Sequence, residues 1–354
     1  MNEINVMDWA FASIRIRYEE LSKKVKQLKI RKKDALTVFV NVESVFMFLC
    51  MSGKDEIIKT SEDEAKMESL FIDIAAHYRY FFRQLVDDVK VVMYYTDPTS
   101  DSFPQEDIFP EYRSQYLHRF SGNDTESTPL AFLLKTDIIS HVKTICDFIP
   151  NVYCICEKNI DGAEIPLILK EAGRKNLIIT ADLFETQYRF VPDYMVIYKT
   201  KRNGLQYLAT SLNELETCIF GGDIDKKDLE LLENKSFYRM LISSRGNGIR
   251  SIPHLNGIGA KTALKNIKGG IEKGIVTKDT RNIELLSKCY PKTERGDMIR
   301  NFAVFDFVTF KNHLGNGSIA KVKENVIDRS DVNALIRLNE TRYQNRPFWI
   351  NGLL

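Results

Sequence analysis

The residues best suited to chemistry lie in the stretch Ser251-Ile-Pro-His-Leu-Asn-Gly-Ile-Gly-Ala-Lys-Thr-Ala-Leu-Lys-Asn-Ile267. Gly257-Ile258-Gly259 reads as a tight turn opening into a helix near Ala260, and the first N–H groups of such a helix have no partner within it. Lys261 and Lys265 stand one helical turn apart, with Thr262 between them. Outward amides at a helix start joined by two lysines make a clamp for phosphate. A clamp on phosphates reads no bases, so any nucleic acid held there would be bound without sequence preference.

Other chemistries find less support. The six cysteines, Cys50, Cys146, Cys154, Cys156, Cys218 and Cys289, are scattered and include no C-x-x-C pair. Cys154 and Cys156 share one face of a strand-like run and read as buried thiols. The histidines His77, His118, His141, His254 and His313 have no metal-ligand spacing; His254 is notable only for lying in the Gly-Ile-Gly stretch. Ser243-Ser244 has no His or Asp partner that would make a nucleophilic triad.

The elements that must position these residues change character along the chain. Residues 1–36 read as an amphipathic helix with a basic end, Lys23, Lys24, Lys26, Lys29, Arg31, Lys32 and Lys33, either a solvated face or a phosphate-contacting arm. β-Branched and aromatic runs predict strands at Thr37–Val42, Val89–Tyr95, Val152–Cys156, Asn176–Thr180 and Tyr194–Lys199. Helical stretches at Asp63–Val86, Pro129–Phe148 and Ile165–Ala172 separate them. That alternation predicts a parallel sheet flanked by helices, with working residues at the carboxyl ends of the strands. From Ser211 onward the pattern is mostly helical, punctuated by glycine pairs. The expected division is a helix at 1–36, an α/β domain at 37–207, a helical region at 208–325 and a tail at 326–354.

Composition bounds the reading. The 354 residues are 44% hydrophobic and 28% charged, enough for a full core. Fifty basic and 48 acidic residues give a net charge of +2, so nucleic-acid binding must come from local clustering. No apolar run reaches the roughly 18–20 residues of a membrane span, and the acidic, polar start predicts a soluble cytoplasmic protein.

The longer string Pro253-x-x-x-Gly-Ile-Gly-x-Lys-Thr-Ala263 resembles the helix-hairpin-helix type element of the flap endonuclease and bacteriophage-type 5′→3′ exonuclease family. The resemblance continues in order through Phe39-Val-Asn-Val42, Tyr94-Tyr-Thr-Asp97, Pro110-Glu-Tyr-Arg113, Asp161-Gly-Ala-Glu164, Thr180-Ala-Asp-Leu-Phe-Glu-Thr-Gln187 and Gly246-Asn-Gly-Ile-Arg250, covering roughly 37–310. It implies a PIN-like α/β fold with an arch segment at about 98–130. It also implies a carboxylate cluster for two divalent metal ions, and DNA contacts from Arg113, Tyr112, Tyr116 and Arg119 of the arch and Gly257, Gly259, Lys261, Thr262 and Lys265 of the turn; Tyr112 and Tyr116 read equally well as packing of the arch helices. The family turn also binds a monovalent cation, so K⁺ is implied there.

This chain departs from that pattern where metal would bind. Asn41, Ala163, Phe184, Asn247 and Arg250 replace carboxylates, leaving Asp97, Asp161, Glu164 and Asp182 as a remnant. Of these, Asp97 and Asp182 match outright and are the candidate metal ligands. Magnesium is a hard cation that needs oxygen ligands, and losing several removes most of its stabilisation of the reacting phosphate. The expected function is a catalytically degenerate flap-endonuclease-like protein that binds branched or single-strand/double-strand DNA in phage or viral DNA metabolism. The alternatives are a weakly active Mg²⁺-dependent 5′ nuclease using the remnant carboxylates, and a non-catalytic subunit of a viral assembly with protein partners.

Overall fold

Five runs rich in Val, Ile, Phe and Tyr pair side by side because each is apolar on both faces, as a strand covered on two sides requires. The computed structural model describes residues 18–43, 78–79, 81–97, 100–113, 151–202, 205–220 and 224–306. The strands are β1 (Ala35–Asn41), β2 (Asp88–Tyr94), β3 (Val152–Ile155), β4 (Lys175–Thr180) and β5 (Tyr194–Arg202), with a sixth, β6 (Leu205–Ala209). Their order is β3-β2-β1-β4-β5-β6. The first five are parallel, and β6 lies antiparallel on β5. β1 is central, with Val38 opposite Val91 on one side and Leu177 on the other, and all its residues from Leu36 to Asn41 are buried.

The chain leaves β1 first toward β2 and later returns to its other side as β4. At such a switch point the loops at the carboxyl ends diverge and leave a crevice where polar side chains gather. The expected strands agree with the observed ones to within a few residues. The exception is β6, which belongs to the sheet although the helical region was expected to begin at 208.

Helices flank and extend the sheet. α1 (Tyr18–Gln27) buries Leu21 and Val25, and a short α2 (Ile165–Ile168) precedes β4. The basic N-terminal helix thus ends at Gln27, and residues 28–34 turn into β1 rather than continuing it. Beyond β6 come α3 (Leu212–Phe220), α4 (Lys226–Leu232), α5 (Lys235–Arg245), α6 (Ala260–Glu272), α7 (Ile283–Ser287) and α8 (Arg295–Val304). Residues 236–244 of α5 are buried all round, as a helix at the centre of a bundle must be. It packs against α6, α8 and the 3₁₀ helix Leu183–Phe190 that follows β4, so the helical region is fastened to the carboxyl side of the sheet. Residues 81–85 are helical and belong to the expected Asp63–Val86 segment. The expected Pro129–Phe148 helix, the arch beyond Arg113 with Tyr116 and Arg119, and the 326–354 tail lie outside the described residues.

Candidate functional site

The carboxyl edge of the sheet collects an unusual density of buried charge. Asn41 ends β1, with Glu43 two residues on; Thr96 and Asp97 follow β2; Asp182 and Glu185 follow β4. Asp161 and Glu164 bracket a 3₁₀ turn, Gly162–Glu164, that is tied to the end of β2 by the Gly162 N–H donating to Thr96 Oγ1 at 2.9 Å. Arg113 and Arg250 enter from the far loops, and the Arg113 N–H donates to the Arg250 carbonyl at 2.9 Å, so the two arrive together. Both guanidinium groups are almost wholly inaccessible.

Arg250 lies between two of the remnant carboxylates. It donates to Asp161 Oδ1 at 3.1 Å and to Asp182 Oδ2, while its guanidinium carbon sits 4.2 Å over the Phe184 ring. Arg113 donates to Asp161 Oδ2 at 2.7 Å and to Glu43 Oε2 at 3.4 Å. Glu43 also accepts the Thr96 N–H at 2.5 Å. Tyr112 donates its hydroxyl to Asp161 Oδ2 at 2.6 Å, and Asn247 donates to Asp182 Oδ1 at 2.8 Å. Each aspartate also caps the turn that follows it, Asp161 through Ala163 N and Asp182 through Phe184 N, both at 2.9 Å.

The electrostatics follow from this arrangement. Burial alone would raise the Asp161 carboxyl, but Arg113 and Arg250 outweigh it and hold the group well below the usual carboxylate range. Burial would lower both guanidiniums, and the carboxylates reverse that too. Among the described residues, Glu164 has no cation at hydrogen-bond distance. Burial, and then the negative charge of Asp161, push it up to about 8, and among the described residues it accepts from Gln105 Nε2. Glu185 is raised by burial and then by Asp182; it accepts from Asn41 Nδ2 at 2.8 Å and Tyr94 Oη at 3.0 Å. One oxygen of each glutamate, Oε2, has no partner among the described residues.

A divalent metal does not fit this set. Its ligand positions on Asp161 and Asp182 are taken by N–H and O–H donors, a guanidinium lies between the two carboxylates, and an aromatic face lies beneath it. Among the described residues no group of three or more His, Cys, Asp or Glu side chains is arranged to hold a metal ion. The expected pairing of Asp97 with Asp182 as metal ligands is therefore corrected: Asp182 is occupied by Arg250 and Asn247, and Asp97 stands half-buried beyond β2. Arg113 is corrected as well, and for Tyr112 the packing reading is the one that holds. Expected against DNA, they are turned inward because the buried Asp161 draws both donors to itself.

The Gly-Ile-Gly turn has the opposite character. Gly257, Gly259, Lys261, Thr262 and Lys265 are all exposed, as is His254. Gly257 adopts φ +66°, a conformation that a side chain would resist. Gly259 is the N-cap of α6 and supplies no side-chain cap, so none of the first amides of this 13-residue helix is taken by an N-cap side chain. The turn borders a cleft of about 640 Å³ whose walls include Ile219, Phe220, Arg245 and Leu255. Ser243 and Ser244 are buried, and Ser244 Oγ is bonded to the Met240 carbonyl and Tyr290 Oη, so neither is a nucleophile open to solvent.

The sequence expects Asp97, Asp161, Glu164 and Asp182 to converge with Asn41 and Phe184 beside them; the structure links Asp161, Asp182, Phe184, Asn247 and Arg250 directly and places Asn41 and Glu164 next to them, while Asp97 stands beyond the end of β2. Sequence reasoning missed Glu43, Gln105 and Glu185. Glu185 could have been found, since it lies on the same turn as Asp182 and Phe184; Glu43 and Gln105 reach the cluster only through tertiary contacts.

No family model and no curated protein matches the sequence. Solved structures do match in fold. The 5′-exonuclease of bacteriophage T5 with zinc ions bound has a TM-score of 0.53 at 11% identity, covering 82% of this chain and 98% of that one. A pseudo-enzyme–product complex of the bacteriophage T5 D15 flap endonuclease with DNA and metal ions has a TM-score of 0.49 at 13% identity, covering 86% and 99%. The catalytic core of Rad2 with a DNA substrate has a TM-score of 0.37 at 12% identity, covering 89% and 91%. The chain has the flap-endonuclease and 5′-exonuclease fold.

Proposed function

We propose that this chain is a non-catalytic DNA-binding protein built on the flap-endonuclease fold, in which arginine has taken the place of metal. The observation that carries this is the Arg250 guanidinium joining Asp161 to Asp182. In a nuclease of this fold, a metal ion among the carboxylates lowers the pKa of a bound water and offsets charge on the scissile phosphate. A guanidinium balances the carboxylates equally well, but it cannot generate a hydroxide at neutral pH. DNA binding needs none of the buried cluster: exposed amides at the start of α6, with Lys261 and Lys265 beside them, suit the phosphate backbone of branched or flapped DNA.

The test is a cleavage assay on a 5′-flapped duplex with Mg²⁺ or Mn²⁺, run beside an anisotropy titration of the same DNA. The native protein is expected to bind the DNA and to cleave no faster than the Asp97→Asn/Asp182→Asn variant. Cleavage that disappears in that variant would establish a weak metal-dependent nuclease instead. Absence of binding even at low salt would leave a role in a protein assembly.

A further inference from the structure

The charge left unspent by the fold sits at the opposite edge of the sheet. α1 buries Leu21 and Val25 and spends one lysine on structure, Lys24, whose Nζ is paired with Glu214 of α3. The chain then turns at Lys29, with φ 54°, and residues 30–34 lead into the amino end of β1. This loop is held in place. Asp34 accepts from the Arg31 backbone N–H at 2.8 Å and from Lys175 Nζ at 2.7 Å, contacts that keep its carboxyl below the usual range.

Three acidic side chains along this edge are already engaged. Asp34 is paired with Lys175 and Arg31, Asp88 with Arg174 at 2.6 Å, and Glu171 with Lys90 at 3.0 Å. Lys32 reaches Asp87 at 3.8 Å. Lys23, Lys26, Lys29 and Lys33 are exposed and form no ion pair with a described residue. Four unpaired lysines within eleven residues exceed the net charge of +2 carried by the whole chain. Clustered like charge costs the folded state self-repulsion, which a polyanion would relieve. A backbone already fixed by Asp34 lowers the ordering cost of binding one.

We propose that Lys23, Lys26, Lys29 and Lys33 form a second nucleic-acid surface, which grips the phosphate backbone at the amino edge of the sheet independently of the Gly257–Lys265 turn. The choice of DNA as the polyanion rests on the function proposed above; the location of the surface does not.

The experiment compares salt dependence of duplex binding, by fluorescence anisotropy, for three proteins. These are the native chain, Lys261→Ala/Lys265→Ala, and Lys23→Gln/Lys26→Gln/Lys29→Asn/Lys33→Gln. Asn is used at position 29 because it tolerates positive φ. Each phosphate contact adds about 0.9 to the slope of log affinity against log salt. The turn variant should lose up to about 1.8 and the amino-edge variant up to about 3.6, with melting temperatures unchanged because all six side chains are exposed. Should the fourfold variant fold poorly, Lys23→Gln/Lys26→Gln, confined to the surface of α1, should still lose up to about 1.8. A loss below about 0.9, one phosphate's worth, in a folded amino-edge variant overturns the proposal. Vesicles of phosphatidylserine and phosphatidylcholine distinguish the other source of phosphate. If the variant loses vesicle binding while its DNA slope stands, the surface is a lipid contact and the proposal fails. A slope cut only by the turn variant removes the amino-edge surface alone, whereas a native protein that binds no DNA at low salt removes the proposed function as well.

Discussion

Arg250 makes its two ion pairs at a position where no water reaches, so its loss cannot be made good by solvent. Replacing it with Ala leaves Asp161 with Arg113 but Asp182 with only Asn247 and a backbone N–H. Breaking a buried pair on one side costs about 3–5 kcal/mol, and a urea unfolding midpoint should register that loss. Adding Asp182→Asn to Arg250→Ala removes the orphaned charge and should restore a good part of it; a double variant no more stable than the single one would mean that the pair is not the source. If arginine stands where a cation is needed, millimolar Ca²⁺ or Mg²⁺ should raise the melting temperature of Arg250→Ala and leave that of the native protein unmoved. The two glutamates act in the other sense. Glu164 has a folded pKa of about 8 against an ordinary value of 4.5, so between those values the folded state holds a proton that the unfolded state has lost. Its contribution therefore falls as pH rises from about 5 to about 8, by up to about 1.4 kcal/mol per pH unit. Glu164→Gln, which is neutral throughout, should flatten that part of the stability profile, with its largest gain near pH 8 and little effect near pH 5. Asp161, held low, behaves conversely: its stabilisation is present above the unfolded value of 3.8 and is lost in stronger acid.

At the scale of elements, the loop that delivers Arg250 depends on one residue at the end of α5. Gly246 has φ +65°, and a Cβ there would lie 2.4 Å from the Ile252 carbonyl oxygen and 2.5 Å from the Pro253 carbonyl carbon. Both are backbone atoms, fixed because Asn247 and Ile252 exchange hydrogen bonds at 2.8 and 2.9 Å. Gly246→Ala should therefore cost several kcal/mol, on the order of the Arg250→Ala loss, since the loop must open to admit the methyl group. Thermal melting of the two variants side by side tests this, and a Gly246→Ala protein as stable as the native would show that the loop can shift. Such elements differed in how plainly the sequence announced them. The five parallel strands were legible because burial on both faces leaves nearly unbroken apolar runs such as Leu36–Val40. β6 was not, although Asn203-Gly204 between two short runs is a hairpin signal, because Leu205–Ala209 is brief and shades into the helix after it. The motif spacing brought the cluster together, but not its pairing. Asn41 with Glu185 and Arg113 with Glu43 are contacts across 144 and 70 residues, which only the closed sheet creates. Arg113 illustrates the limit: as a residue type it suits phosphate, and only its buried position shows that Asp161 has claimed it.

Across the whole molecule, near-neutral charge hides a segregated distribution. The carboxylates at one edge of the sheet are offset internally by Arg113 and Arg250, while the lysines of α1 and its loop that pair with no described residue gather at the other. β1 connects the two edges with seven residues, about 23 Å at ~3.3 Å each. The Gly257–Lys265 turn follows, in sequence, the loop that carries Asn247 and Arg250, and it borders a cleft lined by Ile219 and Phe220 of α3. α3 lies beside both lysine surfaces, through Glu214 to Lys24 of α1 and through Ile219 and Phe220 to the Gly257–Lys265 turn; if each surface takes its own DNA segment, a protein that does not cut would hold the two together. Mixing duplexes labelled with donor and acceptor dyes tests this directly. Energy transfer should rise as protein is added, peak while DNA is in excess, and fall once each duplex has its own protein. Either set of lysine substitutions should abolish the peak without abolishing binding, because one surface would remain. Binding without any transfer, at every ratio of protein to DNA, would mean that both surfaces serve a single bent segment, and the protein would then act by deforming DNA rather than by joining it.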